Sequence, residues 1–124
     1  MAAVNEGSHL SDVIAWEEDN YFSRAKVTIL AGEEVELGTI LEEGSGGYVA
    51  CTTEANACAI ALAPAAPGSG ETIDIPALVR HCKVLADGLD YETDSLDEDT
   101  TNAALLALGI VVEDTVKPTE LIPN

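Results

Sequence analysis

The chain has 124 residues and a mass of 12.9 kDa, a length that suits one domain with a modest core. Apolar residues make up 47% of it, but alanine dominates them and the large anchors are few (Trp16, Tyr21, Phe22, Tyr48, Tyr91), so the core is thin and help from a partner subunit is expected. Twenty-three acids against five bases (Arg24, Lys26, Arg80, Lys83, Lys117) give a formal net charge of -18, which repels phosphate backbones and anionic headgroups and rules against direct nucleic-acid binding and docking to an anionic membrane.

Residues 1–24 differ in character from the rest of the chain. Met1 to Glu6 carry neither the basic region nor the apolar run of a signal peptide. The segment then mixes Gly7, Ser8 and Ser11 with Glu17-Glu18-Asp19-Asn20 and holds Trp16, Tyr21 and Phe22, without a sustained period of strand or helix. Two readings are open: a loosely packed terminus whose aromatics fold back on the domain, or a flexible docking arm that orders on a partner with those aromatics as anchors.

From residue 25 the pattern is of short strands divided by turn chemistry. Lys26 to Leu30 ends at Ala31-Gly32, Val35-Glu36-Leu37 alternates before Gly38, and Thr39-Ile40-Leu41 resumes. Gly44-Ser45-Gly46-Gly47 is a turn signal, after which Tyr48 to Thr52 restarts a strand. Cys58 to Leu62 is a short apolar run closed by Pro64 and by the loop Pro67-Gly68-Ser69-Gly70. Ile73-Asp74-Ile75 alternates, and Leu78 through Leu85 is a further strand candidate beginning after Pro76.

One helix is expected. Ser95 with Glu98 three residues on makes a capping-box pattern, with Asp97, Glu98 and Asp99 in the first turn where the helix dipole favours negative charge. Asn102 to Leu108 has high helix propensity and Gly109 is a natural stop, after which Ile110-Val111-Val112 reads as a final strand. Residues 117–124 form a C-terminal tail with little to hold them down.

Catalytic signatures do not emerge. The glycines at 44–47 lack the Lys-Ser/Thr of a phosphate loop, and no Gly-x-Ser-x-Gly elbow occurs. His81 and Cys82 are adjacent, but neighbours on a strand point to opposite faces. His9 lies in the arm. Cys51, Cys58 and Cys82 are an odd number with no zinc-knuckle spacing, and they read as reduced thiols acting as small apolar side chains in a reducing compartment. Asp90, Glu92 and Asp94 alternate as EF-hand ligands do, yet Ser95 stands at the glycine position and Thr101 at that of the bidentate Glu. No metal, cofactor or enzymatic activity is expected.

The ordered set of segments resembles a known family. Ser23 to Gly32, then Leu37 to Leu41, then Gly47-Tyr48, resembles the opening of the lambda-type head decoration, or capsid cement, proteins of tailed phages. The similarity continues through Ala59 to Leu62, Val79-Arg80, Val84 and Leu89-Asp90-Tyr91, and closes with Ala104 to Val112. It departs at Asn56-Ala57, where the family often carries an Asp-Gly-type turn.

The resemblance implies a mainly β, β-clip-like domain of short strands with one short C-terminal α-helix and a flexible N-terminal arm. It further implies a homotrimer on the outer face of an expanded phage head, bound to the major capsid protein, stabilising the shell against internal DNA pressure. The domain boundaries expected are 1–24 for the capsid-docking arm, 25–116 for the β domain and 117–124 for the tail. The docking residues expected are Trp16, Tyr21, Phe22 and Arg24. Gly32, Gly38, Gly47 and Gly109 are structural turns, and Arg80 is a candidate for a subunit-contact ion pair. The protein is expected in the virion after synthesis in the host cytoplasm.

Two other classes compete. A small acidic carrier domain, or a protein-interaction domain unrelated to capsids, also uses short strands and glycine turns; a biotinyl- or lipoyl-type carrier needs a lysine at a hairpin tip, and Lys26 and Lys83 fall inside strand candidates. A hydrolase or lyase with an acidic site needs a pair of carboxylates set apart from the rest, and none stands out.

Overall fold

Two-sided burial of three short strands organises the molecule. The computed structural model describes residues 10–19 and 22–113. In β3 (Ile40–Gly44), β5 (Ala59–Ala61) and β6 (Ile73–Leu78), successive side chains enter two different cores. Ile40 pairs with Ile60 and Ile60 with Leu78, a row that faces one core. Leu41 pairs with Ala59 and Ala61 with Ala77, a row that faces the other. A strand buried on both faces loses polar alternation, which is why Cys58 to Leu62 reads as a plain apolar run.

The second row fills a closed five-stranded barrel in the order β2 (Arg24–Ile29), β4 (Gly47–Ala50), β3, β5, β6. All contacts between its strands are antiparallel except β2 against β4, which meet in parallel through Ile29 and Tyr48. A barrel narrows as strand number falls, so the interior here takes Ala59, Ala61 and Ala77 beside Val27, Ile29, Leu41 and Ile75. The three alanines of this row are thus a packing requirement.

The first row packs under a three-stranded sheet, β1 (Ile14–Glu17), β7 (Cys82–Leu85) and β8 (Ile110–Glu113), and under helix α2 (Glu98–Leu106). Val13, Cys82, Val84, Leu105 and Ile110 complete that core, each 1% exposed or less. The mainly β class with one late helix is therefore what the structure shows.

Several expectations change. Residues 1–24 read as one arm, but from Leu10 the chain is folded with the domain: a single helical turn α1 (Leu10–Val13) leads into β1, and Val13 is fully buried. β1 pairs Ile14 with Val84 and Glu17 with Cys82, with a register shift between Ile14 and Trp16. A four-residue strand with an irregularity is too short to show periodicity in sequence. Val35-Glu36-Leu37 is no strand; Val35 makes an isolated bridge to Ala65.

Leu78 to Leu85 is two elements. β6 runs straight through Pro76 to Leu78, and β7 begins at Cys82 after His81 takes a positive φ of 49°. Pro76 is tolerated inside β6 because its carbonyl accepts from Leu62, one residue past the end of β5; the side of Pro76 that lacks an N–H thus faces no strand residue. The helix cap is Asp97 and not Ser95: the Asp97 carboxylate accepts from the Thr100 amide and hydroxyl at 3.0 and 2.9 Å. Ser95 instead occupies the left-handed region at φ 55°. Gly109 ends the helical segment at φ 84°.

At Gly38 the backbone combines φ 95° with a close approach: an added Cβ would stand 2.0 Å from the Gly88 carbonyl oxygen. Gly46, at φ 90°, has nothing within 4 Å of such a Cβ. Gly38→Ala is expected to cost about 2 kcal/mol or more and Gly46→Ala about 1 kcal/mol in urea unfolding, because only the first adds a backbone clash to the strain.

Candidate docking surface

Residues 18 and 22–24 lie against residues 78–81. The Asp19 carbonyl accepts from the Phe22 and Ser23 amides at 3.0 and 2.7 Å, which turns the chain from β1 toward β2. Backbone bonds then stitch the two segments: Glu18 N to His81 O at 3.2 Å and Val79 N to Ser23 O at 2.9 Å, with Arg24 opposite Leu78. The buried Ser23 hydroxyl donates to the same His81 carbonyl at 2.8 Å.

Trp16 is 50% exposed on β1, opposite Lys83 of β7. Phe22 is 43% exposed just before β2. Its ring lies 5.2 Å from the Arg80 guanidinium and 5.0 Å from the His81 ring, and Arg80 Nη1 donates to the Phe22 carbonyl. His81 Nδ1 lies 3.6 Å from Glu18 Oε1. Arg24 is engaged within the chain: Nε and Nη2 meet the two Glu17 carboxylate oxygens at 2.6 and 3.0 Å. Those hydrogen bonds hold the guanidinium above its ordinary pKa, against the opposing effect of burial. Tyr21, His9 and the tail residues 117–124 lie outside the described residues.

The structure therefore joins Phe22 to Arg80 and His81, Arg24 to Glu17, and His81 to Glu18, while Trp16 is exposed on β1 opposite Lys83. Glu17, Glu18 and His81 are not singled out by the sequence as docking residues, because His81 reads as a strand residue and the two glutamates as part of the mixed polar N-terminal segment. Of the glycines, Gly32 has φ 84°, while Gly47 serves a close approach, its added Cβ standing 2.7 Å from the Thr28 carbonyl oxygen.

The acidic surface is put to structural use. A cleft of about 420 Å³ is lined in part by Glu33, Glu34, Glu36, Asp90 and Asp94. Glu33 accepts from the Ala50 amide at 2.9 Å, and Asp90 accepts from the Glu92 and Thr93 amides and the Thr93 hydroxyl. For Asp90 burial pulls the carboxyl upward, and the bonds from Thr93 and Glu92 outweigh it and hold the pKa below the usual range. Among the described residues no group of three or more His, Cys, Asp and Glu is placed to hold a metal ion, and no helix is long and apolar enough to cross a membrane.

The thiols are set back from chemistry. Burial, with a hydrogen bond to Glu42 adding to it, pushes Cys51 up to about 12, and burial with the nearby Glu17 charge pushes Cys82 up to about 11. The half-buried Cys58 is also raised, chiefly by burial. In the folded protein at pH 8, Cys51 and Cys82 are expected to resist iodoacetamide and to react on unfolding, as read by mass spectrometry of alkylated peptides.

Carboxylates that cap backbone amides also set an acid limit. Backbone and hydroxyl donation from Thr100 lowers the Asp97 pKa, and the Asp97 amide lowers that of Glu54. A carboxylate with a depressed folded pKa stabilises fully above its unfolded pKa and loses that contribution as pH falls through the folded one. The difference in melting temperature between wild type and Asp97→Ala is therefore expected to be full at pH 7 and to close on acidification below the ordinary carboxylate range.

No curated protein is significantly similar to the chain. A family model described as bacteriophage lambda head decoration protein D matches residues 3–111, which takes in the barrel, helix α2 and the crossing of 16–24 over 78–83. That match covers most of the 124 residues, and the chain belongs to the bacteriophage lambda head decoration protein D family.

Proposed function

We propose that this head decoration protein binds the outer face of the expanded phage head as a homotrimer, grips the major capsid protein through its N-terminal region, and stabilises the shell against the pressure of packaged DNA. Family membership supports the location on the capsid. The observation that carries the grip is the exposure of Trp16 and Phe22 together, in a chain with five aromatic residues in all. Solvent-facing aromatics on a strongly anionic body are costly unless a partner covers them.

In this reading residues 1–24 form the docking region, with its part from Leu10 to Glu17 packed into the body, residues 25–116 form the rest of the body and 117–124 a tail, and the protein is made in the host cytoplasm before joining the head. Residues 1–9 reach the coat and add to an exposed edge of its sheet, while Trp16, Tyr21 and Phe22 anchor the base of the arm. Ordering an arm costs entropy, and three copies acting together offset it. Net negative charge keeps decorated particles apart.

The test is co-sedimentation with expanded, undecorated heads. Full-length chain, a version lacking residues 1–9 and Trp16→Ala are compared; the cut stops short of Val13, whose burial makes a longer deletion a test of folding instead. Saturable binding by the full-length chain, weakened in both variants, is expected. Equal binding by all three would remove the arm as the grip, and no binding by the full-length chain would remove the decoration reading.

A further inference from the structure

After its acidic first turn, helix α2 shows solvent an apolar face. Thr101 and Leu105 are its buried side. Ala103, Leu106 and Ala107, spaced i, i+3 and i+4, lie on the exposed side, and the exposed Leu108 follows just past its end. Leu106 is 58% exposed and Leu108 41%. A surface helix ordinarily turns polar or charged residues outward, and a helix apolar on both sides belongs in a buried position. Residues 100–112 hold no ionisable side chain, although Asp97, Glu98 and Asp99 precede them and Glu113 follows.

The strand that follows adds a second feature beside the first. α2 packs against β8, and β8 is the end strand of the sheet β1–β7–β8, paired on one side only, with β7, among the described residues. Edge strands are ordinarily guarded by a charge, a proline or a bulge. Ile110, Val111 and Val112 carry no charge or proline, and β8 keeps an unbroken register with β7 from Ile110 to Glu113. An apolar helix face and an unguarded edge thus adjoin in the same charge-free stretch.

Charge selects the occupant. Each copy of this chain carries a net charge of -18, so two copies can pack closely only through surface that is free of acids. Contact with a partner of different composition imposes no such condition. Resting on the homotrimer of the decoration reading, we infer that the exposed face of α2, centred on Leu106 with Ala103, Ala107 and Leu108, together with the outer edge of β8, is the surface through which copies of this chain meet. In a closed ring of three each copy meets two others, so any acid on this face would be set against like charge at every contact.

The experiment measures the mass of the full-length chain in free solution by analytical ultracentrifugation for wild type, Leu106→Glu, Ala103→Glu and Ile73→Glu, with circular dichroism, melting temperature and co-sedimentation with expanded heads recorded for each. Wild type is expected at three times the mass of one chain, and Leu106→Glu and Ala103→Glu are expected to fall to the single-chain mass of 12.9 kDa, because each buries an unpaired charge in the contact. Ala103→Glu puts a good helix former at an exposed position, which keeps the test valid if Leu106→Glu folds poorly. Ile73→Glu adds the same charge in place of an exposed apolar residue of the barrel and is expected to keep the wild-type mass. Wild type at the single-chain mass would overturn the inference, and so would an equal loss of mass in Ile73→Glu. Trimer mass kept by both helix variants would also overturn it: a fall in head binding would then give the face to the coat, and a fall in melting temperature alone would give it to the chain's own residues 114–124. Failure of a trimeric wild type to bind heads would remove the decoration function and leave the subunit contact standing.

Discussion

The whole molecule depends on the alternation of Ile40, Ile60 and Leu78 against Leu41, Ala59, Ala61 and Ala77. Each set lies on one face of the same strands, and a one-residue slip would exchange them. Branched chains would then be driven into a barrel too narrow for them, and alanines would leave voids under the outer sheet. Because both faces are buried, neither error can be relieved into solvent, so register is specified twice. A chain with few large side chains secures one arrangement this way.

From that register the placement of the docking surface follows. Leu78 ends β6 opposite Arg24, so the next residues must leave the barrel, and the turn at His81 delivers Cys82 and Val84 to the second core. The same turn presents the His81 carbonyl to Ser23 and Glu18 and leaves Arg80 over Phe22. The exposed aromatics are therefore fixed to the body by the part of the chain that joins its two cores.

The charge is distributed to suit this division of labour. Carboxylates outside the crossing serve as acceptors for loop and helix amides, as Asp90, Asp97, Glu54 and Glu33 show. At the crossing, Glu17 is matched by Arg24, which lowers the local repulsion there.

The mainly β class, the late helix with its glycine stop and the final β-branched strand were legible in the sequence because each rests on local chemistry: glycine at positive φ, alanine and leucine propensity, and acids at a helix start. The family was legible from the order of those pieces. What local chemistry cannot hold is which face of a short apolar run meets which core, and so the two-sided burial of β5, the continuation of β6 through Pro76 and the break at His81 appeared only in three dimensions. The cap shows the same limit at close range, where Ser95 and Asp97 both have capping side chains and the left-handed turn at Ser95 decides for Asp97. Composition marked Trp16, Phe22, Arg24 and Arg80 as unusual. Their division into an arginine locked to Glu17 and one set on an aromatic ring was decided by tertiary structure, because a charge finds its partner through space and Arg80 meets Phe22 across 58 positions of chain.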